Sequence, residues 1–447
     1  MAMAVRVIAT LTPFTISNLR ALAALHMIGG SCRQTSADSS PGGRAAKTPE
    51  TKHNTGFPLG CWPWVDFLFL SMSSTSSRTP LIDMLKGLAC ATIVWHHLAF
   101  YGPMSDIAQP LAPELMAWLF YYGRMAVQVF LVLGGYLAAS SLAPQGLARF
   151  DHASSAITKR FVRLVVPYAV ALLLSVLASA LVRPAMDHPS VPDAPSLMQL
   201  VANALLLQDI VGEDALSAGV WYVAIDFQLF ALVVLVLAAV RALPGGWAKR
   251  YPARMGTLVK LGFAAGAAAS LWAFNRMGWL DMWAVYFMGS YGLGMMACWA
   301  VRARDPRAWL LAMAVLGGAG LALDFRGRIA LAVFTALALV VALRSSRVQA
   351  WRGIRPLVWL GQMSYSVFLV HFSVCLLVNA VVSGLWPDLP WLNALGMVLA
   401  FALSLAAGRM LYLRVEQHVP TWTTALRWQL GLVGAGVLVM MTSQWAS

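Results

Sequence analysis

The chain has 447 residues, 32 Lys and Arg against 18 Asp and Glu, and a formal net charge of +14. It is 60% apolar and only 11% charged, with a mean hydropathy of +0.70. Soluble domains carry roughly 25% charged residues, so this composition excludes a water-facing globule, and in a membrane protein the basic excess serves loop orientation rather than a nucleic-acid partner.

Residues 1–78 read as a poorly ordered tail. Up to residue 30 the chain is apolar only in patches, interrupted by Arg6, Pro13, Asn18, Arg20 and His26. It lacks the basic start, clean apolar stretch and small-residue cleavage site of a signal peptide. Ser31 to Gly60 is rich in Ser, Thr, Gly, Pro and Lys, a composition that does not build a core. Trp62 to Met72 is about half the length that a spanning helix needs. The tail is expected to be dispensable, with a translation start near Met72 as one origin for it.

From Leu81 the apolar runs come regularly, at 81–101, 116–142, 161–182, 220–241, 257–274, 282–301, 308–323, 329–343, 357–383, 391–413 and 428–442. A span needs roughly 20 apolar residues. The pattern predicts an all-α polytopic integral membrane protein with about ten core transmembrane helices over 79–420 and an eleventh in 421–447. Asn203 to Ile210 is expected as a partial helix in the long loop before Trp221. Loop charge tests this partition independently. Alternate loops hold 19 Lys and Arg, and the opposite set holds only Arg183, Arg276, Arg326 and Arg328. That asymmetry predicts that the first set and the N-terminal tail are cytoplasmic. Five scattered cysteines, Cys32, Cys61, Cys90, Cys298 and Cys375, give neither a disulfide framework nor a metal-ligand spacing.

Charged groups inside spans are costly and mark function by default. In the first span Lys86 and His97 lie 11 residues apart, which is about 20° from a whole number of turns and about 16 Å along the axis. They share a face, whereas His96 is expected to point some 80° away. Lys86 alone could snorkel to the interface. Arg124 and Gln128, four residues apart, share a face of the second span. Gly134-Gly135 reads as close helix packing. Asp226 is expected about 9 Å below the outer surface, in the fourth span that starts with Trp221. His97, Arg124 and Asp226 thus fall on three helices at one depth, which suggests a polar site open to the outer side. There an Asp could orient a His as general base.

These residues resemble a family pattern. Lys86, ten residues and His97 resemble the Arg/Lys-x10-His signature of the membrane-bound acyltransferase 3 family, the bacterial sugar and lipid O-acyltransferases. The opening Leu81 to Leu85, the stretch Val127 to Tyr136, the basic run Lys159 to Arg163 with Pro167-Tyr168, and Trp221 to Phe230 are similar to the family's next elements in order. So are Gly361 to His371 and Leu411 to Glu416. Gln128 stands where the family has an Asp, Asp226 where it has a Glu, and Phe368 lacks the hydroxyl of the usual Tyr.

The resemblance implies a multi-pass protein of the bacterial inner membrane, a cytoplasmic acyl-CoA donor (acetyl-CoA foremost) and a glycan or lipid-linked acceptor modified on the outer side. No metal is implied. His97 is then the base and Asp226 its orienter. Arg124 is a candidate oxyanion or acceptor ligand, and Lys86, Arg160 and Arg163 are candidates for the CoA phosphates. Gln128, Trp221, Tyr365 and His371 complete the substrate-binding set. The competing reading is a transporter or flippase for a lipid-linked glycan, in which the same charged groups line a pathway. Transporters often show internal repeats, and none is evident between the halves of this chain.

Overall fold

The computed structural model describes residues 79–246 and 250–444. The tail 1–78 lies outside the described residues. Among those described there is no β-strand. The longer helices in chain order are α1 (Pro80–Phe100), α2 (Pro113–Tyr122), α3 (Val127–Leu142), α4 (Ala153–Val182), α5 (Trp221–Arg241), α6 (Pro252–Trp272) and α7 (Ala284–Arg302). They continue with α8 (Arg307–Leu323), α9 (Gly327–Arg344), α10 (Arg355–Gln362), α11 (Ser364–Leu385), α12 (Pro390–Leu411) and α13 (Trp422–Gln444). Each of the apolar runs read from Leu81 onward falls mainly on these helices. Among the described residues nine helical stretches are long and apolar enough to cross a membrane. The fold is therefore all-α and polytopic. α1 misses that criterion because it carries Asp83, Lys86, His96 and His97, and α8 misses it at 17 residues.

Two runs that look continuous in sequence are broken in space. A single 3-10 turn, Gly123–Ala126, separates α2 from α3, and Met363 separates α10 from α11. The second break lets α10 lie along α1, its principal partner. Their backbones touch: a Cβ on Gly87 would fall 2.1 Å from the Leu357 carbonyl oxygen, and one on Gly361 would fall 1.7 Å from that of Asp83. Only glycine permits such a crossing.

α7 is the central post, with 16 of its 19 residues buried. It packs most closely on α3, where a Cβ on Gly135 would lie 1.8 Å from the Tyr291 carbonyl oxygen and one on Gly294 1.9 Å from that of Val132. The glycine pair that reads as packing glycine in the sequence is one half of this seam. The segment between α4 and α5 carries two short helices, Leu197–Ala204 and Gln208–Val211, where the sequence predicts one partial helix at 203–210. A capping box starts the earlier one: Ser196 Oγ accepts from the Gln199 N–H, and Gln199 Oε1 accepts from the Ser196 N–H.

Candidate functional site

His97 sits three residues before the end of α1, and its ring lies nearly parallel, at 6°, to that of His371 of α11, with 4.8 Å between their centroids. The tautomers follow from the partners. His371 Nδ1 is 2.7 Å from the Phe368 carbonyl oxygen, and a carbonyl only accepts, so His371 Nδ1 carries the hydrogen. Its Nε2 is then the acceptor, and it lies 2.7 Å from His97 Nδ1. His97 Nδ1 must donate, which leaves the lone pair on His97 Nε2. A chain of two hydrogen bonds anchored on main chain thus fixes the orientation of the His97 imidazole from behind and leaves its Nε2 as an acceptor. Both rings are buried, with His97 9% and His371 1% exposed.

His97 lines a cavity of about 850 Å³ together with Arg124, Trp221 and Phe368. The segment between α4 and α5 forms its lid, contributing Pro189, Ser190, Asp214, Ala215 and Ser217 to Gly219. The lid is pinned from inside. Buried Asn203 donates to the Asp214 carbonyl at 2.9 Å and accepts from the Leu216 N–H at 3.1 Å, while Ser175 donates to the Leu216 carbonyl at 2.7 Å. Gly219, at φ +76°, tucks the end of the lid against the base, where a Cβ would lie 3.0 Å from Phe368 Cζ and 3.1 Å from His97 Cε1.

The helical-phase expectation for His96 is overturned. It lines the same cavity as His97, because α2 crosses the end of α1 and offers the Leu119 carbonyl, to which His96 Nδ1 donates at 2.9 Å. Gly123 makes that approach possible, since its Cβ would fall 2.8 Å from His96 Cβ.

Arg124 and Trp221 also line a second cavity of about 790 Å³, which extends past Gln128 to Asp209, Asp281, Tyr286, Arg326 and Arg328. Gln128 is held there, its Oε1 accepting from Ser290 Oγ at 2.6 Å. Arg328 donates to the Tyr286 hydroxyl at 2.5 Å and lies over that ring. Burial, on the short helix outside the spans, raises the Asp209 carboxyl above its ordinary range, so it is readily neutralised as pH falls.

Two sequence expectations are corrected. Asp226 does not orient His97; that place belongs to His371. Asp226, 6% exposed, instead forms a hydrogen-bonded ion pair with Arg160 of α4. Depth along the helices suggested that these two residues serve opposite sides. The long Arg160 side chain closes that gap, passing over the Phe230 ring on the way. Arg160 is therefore committed to the protein and is not a free phosphate ligand. Arg163 and Lys86 lie where their charges act on Glu416, and Lys86 also faces Asp83 at 3.8 Å. Glu416 ends a π-helical turn, Tyr412–Glu416, and accepts from the N–H and hydroxyl of Ser366 in the first turn of α11. Tyr365 is a strut: its hydroxyl donates to the Leu164 carbonyl at 2.9 Å.

Sequence reasoning thus finds His97, Arg124, Trp221 and His371, which the fold brings together, but misses how His371 serves. It also misses His96, Gly219 and Glu416. A glycine two residues before Trp221 was the signal available for Gly219. No curated protein and no solved structure matches the chain. A protein-family model, described as an acyltransferase domain, matches residues 80–409. That stretch opens on the first residue of α1 and holds His97, the His371 behind it, the lid and both cavities, so the geometry and the match concern the same part of the molecule: the chain belongs to the acyltransferase 3 family.

Proposed function

We propose that this acyltransferase moves an acyl group, acetyl foremost, from acyl-CoA to a hydroxyl of a cell-envelope glycan or glycolipid. The observation that carries the reading is the Phe368–His371–His97 chain, which presents a basic Nε2 at a lidded cavity. His97 Nε2 takes the proton of the acceptor hydroxyl as its oxygen attacks the thioester carbonyl. The Arg124 guanidinium faces the developing oxyanion. Collapse breaks the carbon–sulfur bond, and the CoA thiolate leaves with the proton that His97 holds. Arg163 and Lys86 are the cations for the CoA phosphates, with Arg160 withdrawn from that set. Trp221 and Gln128 hold the acceptor. With the basic loops cytoplasmic in a bacterial inner membrane, the N-terminus is inside and the lidded cavity opens outward.

Purified protein incubated with acyl-labelled acetyl-CoA and membrane glycolipid extract should consume the thioester and label the acceptor. Intact thioester alongside glycolipid movement across vesicles would replace this reading by transport.

Gly219→Ala should lower turnover by up to about tenfold, since the new Cβ pushes His97 and Phe368 back by a fraction of an ångström and a misplacement of about 1 Å can cost about a hundredfold. The positive φ adds a stability loss of about 1 kcal/mol. Steady-state rates and thermal unfolding in detergent read the two effects separately. Wild-type turnover in this variant would show that the lid does not set the position of His97.

A further inference from the structure

A third cavity, of about 610 Å³, lies at the end of α3 remote from His97. α3 has 16 residues, so the two sites are about 24 Å of helix apart. The wall combines three cations, Arg149, Lys260 and Arg302, with two indoles, Trp299 and Trp309, and no acidic side chain lines it among the described residues. Such a wall repels cations and concentrates phosphate.

The wall is built rigidly. Trp299 is buried, its indole N–H donates to the Ala143 carbonyl at 3.0 Å, and its ring lies 5.8 Å from that of Trp309. Arg302 donates to Ser140 Oγ at 3.0 Å. The turn after α3 is pressed onto α6 through two glycines: Gly146, at φ +87°, would place a Cβ 2.3 Å from the Gly256 carbonyl oxygen. That contact brings Arg149 and Lys260 to one opening.

The surroundings say what enters. α8 buries only three residues, and α6 and α8 present Leu258, Leu261, Leu311 and Val315 outward. Acyl chains can lie along those faces while a headgroup occupies the basic cavity between the helix ends. The α3–α7 glycine seam stands between this cavity and the base, which argues against a substrate in transit.

We propose that this cavity binds the phosphate of an anionic glycerophospholipid as a resident of the fold, independently of the acyl-transfer reading. The full chain in neutral detergent is titrated with phosphatidylglycerol or phosphatidylcholine of identical chains and followed by native mass spectrometry. Wild type should take up phosphatidylglycerol about tenfold or more tightly, because both lipids offer the same phosphate and the three cations of the wall repel the choline of phosphatidylcholine. Arg149→Gln with Lys260→Gln should abolish the preference, and Arg149→Lys with Lys260→Arg should keep it. Equal uptake of the two lipids by wild type, which needs no variant, overturns the proposal. So does a preference that survives in the double Gln variant. Displacement of bound phosphatidylglycerol by ADP would assign the cavity to a soluble phosphate and equally overturn the lipid.

Discussion

His97→Ala should cut acyl transfer by about two to four powers of ten, the usual worth of a positioned general base. Membrane insertion and detergent-solubilised folding should persist, since the change removes a costly polar group from a helix end. His371→Ala should act through His97 and cost less. Its signature is a fall in kcat with KM preserved, because the tautomer and aim of the base suffer while the cavity keeps its shape. His96→Ala, which removes the bond to Leu119 but leaves the His371 support of His97 in place, should cost least of the three. The pH dependence has a definite sign: a proton on His97 Nε2 abolishes the base, so the rate falls as pH is lowered through that ionisation. This acidic limb should vanish in His97→Ala and move in His371→Ala. Wild-type turnover in His97→Ala would end the mechanism.

Asp226→Ala should be the most destabilising single change in the core, because it leaves the Arg160 guanidinium inside the bundle without its partner. Breaking a buried pair costs about 3–5 kcal/mol. The lower end is expected here, because the Arg160 side chain keeps 34% of its surface exposed. Thermal unfolding of the solubilised protein should show the loss. The double change Arg160→Leu with Asp226→Leu should recover most of it, since replacing both partners by apolar side chains is close to neutral. A double variant as unstable as the single one would show that Asp226 supports the fold by other means.

These residues also mark how far a sequence reading reaches. The helices were legible because lipid allows so few solutions: runs of about 20 apolar residues and an alternation of basic loops leave little freedom. The breaks at Gly123–Ala126 and Met363 were not legible, because each depends on which neighbour the backbone must meet. Lys86 and His97 were found from helical phase. The same phase sent His96 away from the site, since it describes an isolated cylinder and cannot know that α2 crosses its end. Depth placed Asp226 level with His97 and Arg160 on the far side. Side-chain reach along α4 reversed both assignments. The tautomer chain depends on a bond between residues 274 apart in sequence, and no local pattern encodes which nitrogen meets which carbonyl.

That same bond has a consequence for how the protein comes into being. α1 is made before the other described helices, and its polar load keeps it outside the set apolar enough to span unaided. Its close glycine crossing is with α10, which follows only after more than two hundred further residues. Only when α10 and α11 arrive are Gly87 and Gly361 in contact and His371 behind His97. The hydrogen bond behind His97 is thus formed only after α11 is made, and a chain interrupted before it carries the signature residues of the first span without that support.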